Sequence, residues 1–336
     1  MAENPTLPGS ETTMLSPRII IEAGPYYYNV FREKLDILKT SVCEAAEQGY
    51  SVLQSESGTA VDAVEKAVCY LENNKYFNAG YGSLLNNDGD IECDAMIMNG
   101  HTMDSGAVVG VCHFKNPVSL ARKVMEKSHH CVLSGNGALA FAERINFESC
   151  DPEDLKDDET SKKLINCYKD FDKIVDCQLG GRPVSENSWL NNEQFDTIAA
   201  VAMDKKGHFA CATSTGGIPG RLKGRVSDAP LVGCGGYANE YGAAATGGFG
   251  EAVIKMTLAR QVIFNMEIGQ NAQESADNAV KRMEQRLAKG YGSAIAIDKN
   301  GNFGRATSSA STLWATMNDD ALRSGYETKR TFLFKN

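Results

Sequence analysis

No stretch of the 336 residues approaches the roughly twenty apolar residues that cross a bilayer, and none of the ten cysteines stands in a CxxC pair. Met1 to Arg18 is polar and rich in Pro, Ser and Thr, without a charged start followed by an apolar core, so it reads as a loose tail and not as a signal peptide. With no secretory signal, the cysteines are expected as reduced thiols, several buried as small apolar residues, in a cytoplasmic protein. A basic cluster is also missing. Lys and Arg number 34 against 43 Asp and Glu, a formal net charge of −9, which argues against a nucleic-acid partner. No internal repeat is found. What is present is a hydrophobic content of 42%, ample for a sizeable core in one large or two ordinary domains.

Along the chain, helical and strand periodicities alternate. Arg18 to Ala23, with its Ile19-Ile20-Ile21 run, reads as a buried first strand ended by Gly24-Pro25. Glu33 to Leu53 and Thr59 to Asn73 read as amphipathic helices, the second opening with Thr59 and Asp62 in capping-box spacing. Asp90 to Met98 and Ser105 to Phe114 read as strands, and Asn116-Pro117 caps a helix over Val118 to Lys127. Ser134-Gly135-Asn136-Gly137 lacks the lysine of a phosphate loop and reads as a turn between the strand Cys131 to Leu133 and a helix over Ala138 to Phe147. Residues 151–194 are acidic and turn-rich, which predicts a mobile linker. Gly250 to Gly269 and Ala272 to Lys289 read as two helices, and Gly292 to Asp298 with Phe303 to Thr307 as a hairpin across Lys299-Asn300-Gly301.

The segment of most chemical interest is Phe195 to Gly217, FDTIAAVAMDKKGHFACATSTGG. Two apolar runs flank the turn signal Asp204-Lys205-Lys206-Gly207, which predicts a hairpin whose first strand begins near Thr197. Taken alone, a threonine at a strand start is a β-former. A threonine freed at a chain end is different: its α-amine titrates near pH 8, roughly, and can act as base for its own hydroxyl.

Around that segment stand TSTGG (Thr213 to Gly217), GRVSDAP (Gly224 to Pro230), GCGGYA (Gly233 to Ala238), AATGGFGE (Ala244 to Glu251) and, upstream, FNAGYGSLLNNDGDIECDAMIMNG (Phe77 to Gly100). In that order and spacing the strings resemble the plant-type asparaginase family of N-terminal nucleophile hydrolases, which includes isoaspartyl peptidase/asparaginases, glycosylasparaginases and threonine aspartase. The resemblance spans most of residues 18–318. It implies an α/β, four-layer αββα sandwich formed by one domain over 18–336, self-cleavage between Asp196 and Thr197, and a homodimer of cleaved protomers.

The resemblance also assigns roles. Thr197 matches the nucleophile, and Thr215 the threonine beside it, where a simple turn hydroxyl is the alternative. Thr246 and Gly247 match the pair that supplies oxyanion donors to the substrate. Arg225 and Asp228 match the charges that hold the carboxylate and ammonium of an amino-acid substrate; an exposed pair is the alternative. Keeping Asp228 favours a small substrate with a free α-amine, an amino acid or dipeptide, over a protein. No cofactor is implied. A structural sodium ion on main-chain carbonyls of Leu71, Glu72, Phe77, Ala79 and Gly80 follows from the resemblance alone, and a glycine turn is the plain alternative.

Three features depart from the family pattern. Glu22-Ala23-Gly24-Pro25-Tyr26 replaces a His-Gly-Gly-Ala-Gly loop and is closer to the Trp-Pro-Phe loop of glycosylasparaginases, with Gly in place of Trp. Ala199 stands where the family has Gly, and TGGFGE is one residue longer than usual. The expected activity is hydrolysis of asparagine or β-aspartyl dipeptides; glycosylasparagine hydrolysis and a silent, uncleaved amino-acid-binding homologue are the alternatives.

Overall fold

The computed structural model describes residues 16–26, 31–156, 197–287, 291–308 and 311–328. Asp196 and the linker from residue 157 onward lie outside them. Strands β1 (Arg18–Tyr26), β2 (Cys93–Asn99), β3 (Ser105–Val111), β4 (Val132–Ser134), β5 (Thr197–Met203), β6 (Phe209–Thr215), β11 (Ser311–Asn318) and β12 (Ala321–Thr328) form an eight-stranded sheet in the order β12-β11-β1-β5-β6-β2-β3-β4. A smaller sheet orders β10 (Phe303–Thr307), β9 (Gly292–Asp298), β8 (Gly242–Gly248) and β7 (Gly236–Asn239).

Three apolar layers follow from side-chain alternation along these strands. Ile19, Ile21 and Ala23 of β1 join the core under α1 (Phe31–Gln54), α2 (Ala60–Glu72) and α3 (Pro117–Lys127), whereas Ile20 joins the layer between the two sheets. The smaller sheet packs its other face on α6 (Leu258–Glu267) and α7 (Ala272–Arg286) through Ala244, Ala294 and Ala296. This is the expected αββα sandwich. Every residue of β5 and of β6 is buried because both faces of the large sheet are covered, which explains their unbroken apolar runs.

The capping box of α2 forms as its spacing predicts, with Thr59 and Asp62 each bonding the other's backbone. Other boundaries differ for tertiary reasons. β1 does not stop at Gly24-Pro25: it runs to Tyr26 through an irregularity, because β5 and β11 pair with it on either side. β2 begins at Cys93, since Asn86 Oδ1 accepts the N–H groups of Asp88 and Asp90 and folds 86–90 into a turn. β3 stops at Val111, and α4 spans Gly135–Arg144, earlier than expected. Gly250 to Gly269 is two helices, α5 (Gly250–Met256) and α6, broken at Thr257 with φ 45° and ψ 54°. The first turn of α6 instead donates to a neighbouring loop, Ala259 N–H to Cys234 O (3.3 Å) and Arg260 N–H to Gly233 O (2.9 Å). Strands β7, β8, β11 and β12 carried no clear period in the sequence.

Candidate active site

Thr197 is the first residue of β5 and is 6% exposed. Gly24 of β1 pairs with it on one side. On the other, Ile198 pairs with Ser214, which brings Thr197 beside the end of β6 at Thr215, and Thr215 pairs with Asp94 of β2. By alternation Thr197, Thr215 and Asp94 share the face of Ala199, Cys211 and Met96, the one turned toward the smaller sheet. Four strands thus present a row of Gly24, Thr197, Thr215 and Asp94 at the same end of the sandwich.

The smaller sheet closes over this row with Gly247 of β8. A methyl built there would lie 3.1 Å from Gly24 O and 3.3 Å from Thr197 Cβ, so only a glycine lets the two sheets meet at the threonine without displacement. Thr246 is fully buried, and both its donors are engaged: N–H with Gly235 O at 2.8 Å and hydroxyl with Cys234 O at 2.7 Å. Its hydroxyl would have to turn to face an oxyanion. Thr215 Oγ1 accepts the Gly217 N–H at 3.0 Å, the geometry of a hydroxyl-stabilised turn.

Asp228 is held by its neighbours in sequence. Asp94 Oδ2 accepts the Ser227 N–H (2.8 Å), Asp94 Oδ1 accepts the Gly110 N–H (2.9 Å), and the Thr213 hydroxyl donates to Ala229 O (2.8 Å). The Asp228 carboxylate is 2% exposed, and its Oδ2 has no hydrogen-bond partner among the described residues. Burial pushes its carboxyl up to about 7 against the opposing pull of Arg225. An orphaned buried acceptor beside a guanidinium is costly unless a donor arrives, so it marks a place for a cationic ligand group.

Arg225 meets Glu251 of α5 at two points, Nε to Oε1 and Nη2 to Oε2, both 2.9 Å. Burial raises the Glu251 carboxyl, but the hydrogen bonds and charge of Arg225 outweigh it and leave it below its ordinary value. Gly250 fits between the charges: a methyl on it would come within 2.6 Å of Arg225 Nη2 and 2.9 Å of Asp228 Oδ1. The glycine therefore lets guanidinium and carboxylate lie side by side. Unlike the exposed pair that is the alternative, Asp228 is buried and Arg225 is half-buried.

Glu92, two residues before Asp94, accepts the Gly224 N–H at 2.9 Å, so two acids of one strand start anchor the Arg225 loop. Arg221, 1% exposed, ties the same loop inward through Leu84 O, Ile218 O and Glu92 O. Asn78 joins the upstream glycine-rich loop to the turn after Thr215: its Nδ2 donates to Gly217 O and its carbonyl accepts the Gly216 N–H, each at 2.7 Å.

In that glycine-rich loop, a methyl on Gly80 would lie 2.7 Å from Glu72 O and 2.6 Å from Lys115 O, at a positive φ of 55°, so the position requires glycine. Glu72 O also accepts the Tyr81 N–H at 2.8 Å. Among the described residues no three His, Cys, Asp or Glu side chains gather as a metal site. No helix among the described residues is long and apolar enough to cross a membrane.

Asp94, Glu92, Asn78, Gly250 and Glu251 were not singled out as site residues from the sequence, although all lie inside the motifs that carry the resemblance. The signal that could have found them is charge within an otherwise apolar strand start, in IECDA, and the glutamate that closes TGGFGE.

Comparison with known proteins identifies the family. Residues 16–326 match the asparaginase family. An isoaspartyl peptidase/L-asparaginase of Danio rerio is 40% identical over 310 residues, 92% of this chain and 94% of the relative. The protein of the same name from Homo sapiens is 38% identical over 318 residues, 93% and 97% of the two chains. A plant-type L-asparaginase of Thermococcus kodakarensis is 39% identical over 293 residues, 85% and 92%. With its αββα layers, its buried strand-start threonine and this match along nearly its whole length, the chain belongs to the asparaginase family.

Proposed function

We propose that this chain is a self-processing threonine amidohydrolase that cleaves the side-chain amide of L-asparagine and of β-aspartyl dipeptides. The relatives named isoaspartyl peptidase/L-asparaginase support the hydrolase class and substrate. The observation that carries the reading is the row of Thr197, Thr215 and Asp94, with Asp94 holding Ser227 next to the unsatisfied Asp228 carboxylate.

In the proposed maturation the Thr197 hydroxyl attacks the carbonyl carbon of Asp196, the acyl group passes from nitrogen to oxygen, and water hydrolyses the ester. Chains 1–196 and 197–336 result, and Thr197 gains a free amine. In turnover that amine takes the hydroxyl proton while Oγ1 attacks the side-chain amide carbon. The proton leaves with the departing ammonia or peptide amine, and water then resolves the aspartyl ester to release aspartate. The oxyanion forms at Gly247, where the sheets are in contact, and Thr246 supplies a donor once its hydroxyl turns from Cys234 O. Asp228 takes the substrate α-ammonium. Glu251 occupies Nε and one hydrogen of Nη2 on Arg225, leaving Nη1 and the second Nη2 hydrogen for the α-carboxylate.

A sodium ion on the carbonyls of Leu71, Glu72, Phe77, Ala79 and Gly80, and a dimer of cleaved protomers, belong to the same reading. The ion would rigidify the loop that Asn78 joins to Thr215 and take no part in bond making. A denaturing gel tests the proposal: two fragments, the smaller beginning at Thr197, with ammonia release from asparagine lost in Thr197→Ala, are expected. A lasting single band without hydrolysis would instead identify an amino-acid-binding homologue. Hydrolysis of glycosylasparagine in preference to the other two substrates would move the activity to the glycosylasparaginase class.

A further inference from the structure

Glu22 has no part in the chemistry above, yet it lies within the same layer. It is 3% exposed, on the face of β1 that looks toward the smaller sheet, opposite Ala199 of β5 and Trp314 of β11. Its Oε1 accepts a hydrogen bond from the Ser293 hydroxyl of β9. Ser293 pairs with Gly247, and the methyl position on Gly247 is 3.6 Å from Ser293 Oγ and 3.3 Å from Thr197 Cβ. Thr197 pairs with Gly24, two residues along β1 from Glu22, so Glu22 and Thr197 are diagonal neighbours on one face of the sheet, positions about 7–8 Å apart.

We propose that Glu22, held by Ser293, is a positioning residue that sets the basicity of the Thr197 α-amine by placing a buried negative charge beside it. The inference rests on the threonine mechanism proposed above. The amine acts as base only after losing its proton, and a nearby carboxylate stabilises the ammonium form, so the charge raises the pH at which the enzyme becomes active. Few other charges face this layer among the described residues. β5 contributes Thr197 and Ala199, β11 Thr312 and Trp314, β8 Ala245 and Gly247, and β9 Ser293 and Ile295. On β10, the Arg305 guanidinium lies over the Trp314 ring, 3.9 Å from its centre, and offsets part of the field. Asp94 stands beyond Thr215 and is occupied with Ser227 and Gly110.

The test is the pH dependence of kcat at saturating asparagine, where Asp228 is already paired with the substrate ammonium and does not shape the limb, in protein that a gel and N-terminal sequencing show to be cut before Thr197. Glu22→Gln, which keeps the shape and an acceptor for Ser293, is expected to move the acid limb to lower pH by on the order of one unit. Glu22→Asp keeps the charge but withdraws it by one methylene, and is expected to move the limb less, in the same direction; it serves as the readout if the Gln variant does not cut itself. A kcat limb that coincides with the parent's in the cut variant, whatever the plateau value, overturns the proposal and reduces Glu22 to packing. Activity that survives in Thr197→Ala would overturn the threonine mechanism itself, a separate result.

Discussion

Arg225 and Glu251 face one another through two parallel hydrogen bonds of 2.9 Å, across 26 residues of sequence. The contact fixes the plane of the guanidinium, so a carboxylate binding there as proposed would not have to order that side chain. Glu251 is 39% exposed at its side chain, which discounts the energy of the pair to about 1 kcal/mol. Glu251→Gln is therefore expected to raise KM for asparagine roughly fivefold with kcat little changed, measured by steady-state ammonia release. An equal fall in kcat with KM unchanged would show that the pair acts in the transition state instead.

Asp228 gives the site a pH dependence of its own. Its carboxyl is pushed up to about 7 by burial, so below that pH the empty site holds it protonated, and it must release the proton to pair with an ammonium. KM is expected to rise as pH falls below about 7, by roughly tenfold at one unit lower, with binding accompanied by proton release at pH 6. Calorimetry in buffers of different ionisation enthalpy reads that proton directly. For stability the sign is opposite to the usual carboxylate case: the folded value lies above the unfolded one, so the folded state binds the extra proton and stability falls as pH rises from about 4 to about 7. Asp228→Asn should flatten that fall and abolish tight substrate binding together.

Gly247 tolerates no side chain without displacement of either sheet. Gly247→Ala adds a methyl 3.3 Å from Thr197 Cβ and 3.1 Å from Gly24 O, contacts that move Thr197 by a few tenths of an ångström. A loss of roughly tenfold or less in kcat is expected, with the two-chain pattern on a gel telling whether self-cleavage is slowed as well. The neighbouring Thr246 is a weaker lever, since its hydroxyl already has a partner in Cys234 O.

Asp94 is expected to matter for stability and for binding alike. Asp94, 3% exposed, is the acceptor for the N–H groups of Ser227 and Gly110, so Asp94→Ala is expected to cost about 2–4 kcal/mol of unfolding free energy, read as a lower urea midpoint at unchanged m. The same change frees the backbone beside Asp228, so KM should rise. A variant that loses stability while keeping KM would show that Thr213 and Ala229 alone hold the loop.

Thr257 offers a change far from the chemistry. It joins α5 to α6 in a left-handed conformation that a β-branched residue adopts only with strain. Thr257→Gly is expected to stabilise the protein by roughly 0.5–1 kcal/mol, read as a rise in melting temperature. A fall would mean that the bond of its hydroxyl to Met256 O outweighs the strain.

The sequence by itself determined whatever is decided within a few residues. The capping box at Thr59 and Asp62, the hairpin around Asp204 to Gly207, and the apolar runs of β5 and β6 formed where local spacing put them, because turn chemistry and alternation are properties of adjacent residues. The motif strings likewise brought Thr197, Thr215, Arg225 and Asp228 into view, each already carrying the functional group its role needs. Tertiary structure alone decided which charges meet. Asp94 reaches Ser227 across 133 positions and Ser293 reaches Glu22 across 271. The break at Thr257 likewise depends on carbonyls of a loop more than twenty residues earlier. Strand β8 could not be read from GAAATGG, since its residues are chosen for the closeness of two sheets and so carry no bulky apolar period. A chain announces its chemical groups by type and its turns by neighbours. The distance between Gly247 on one sheet and Thr197 on the other depends instead on how the two sheets settle together.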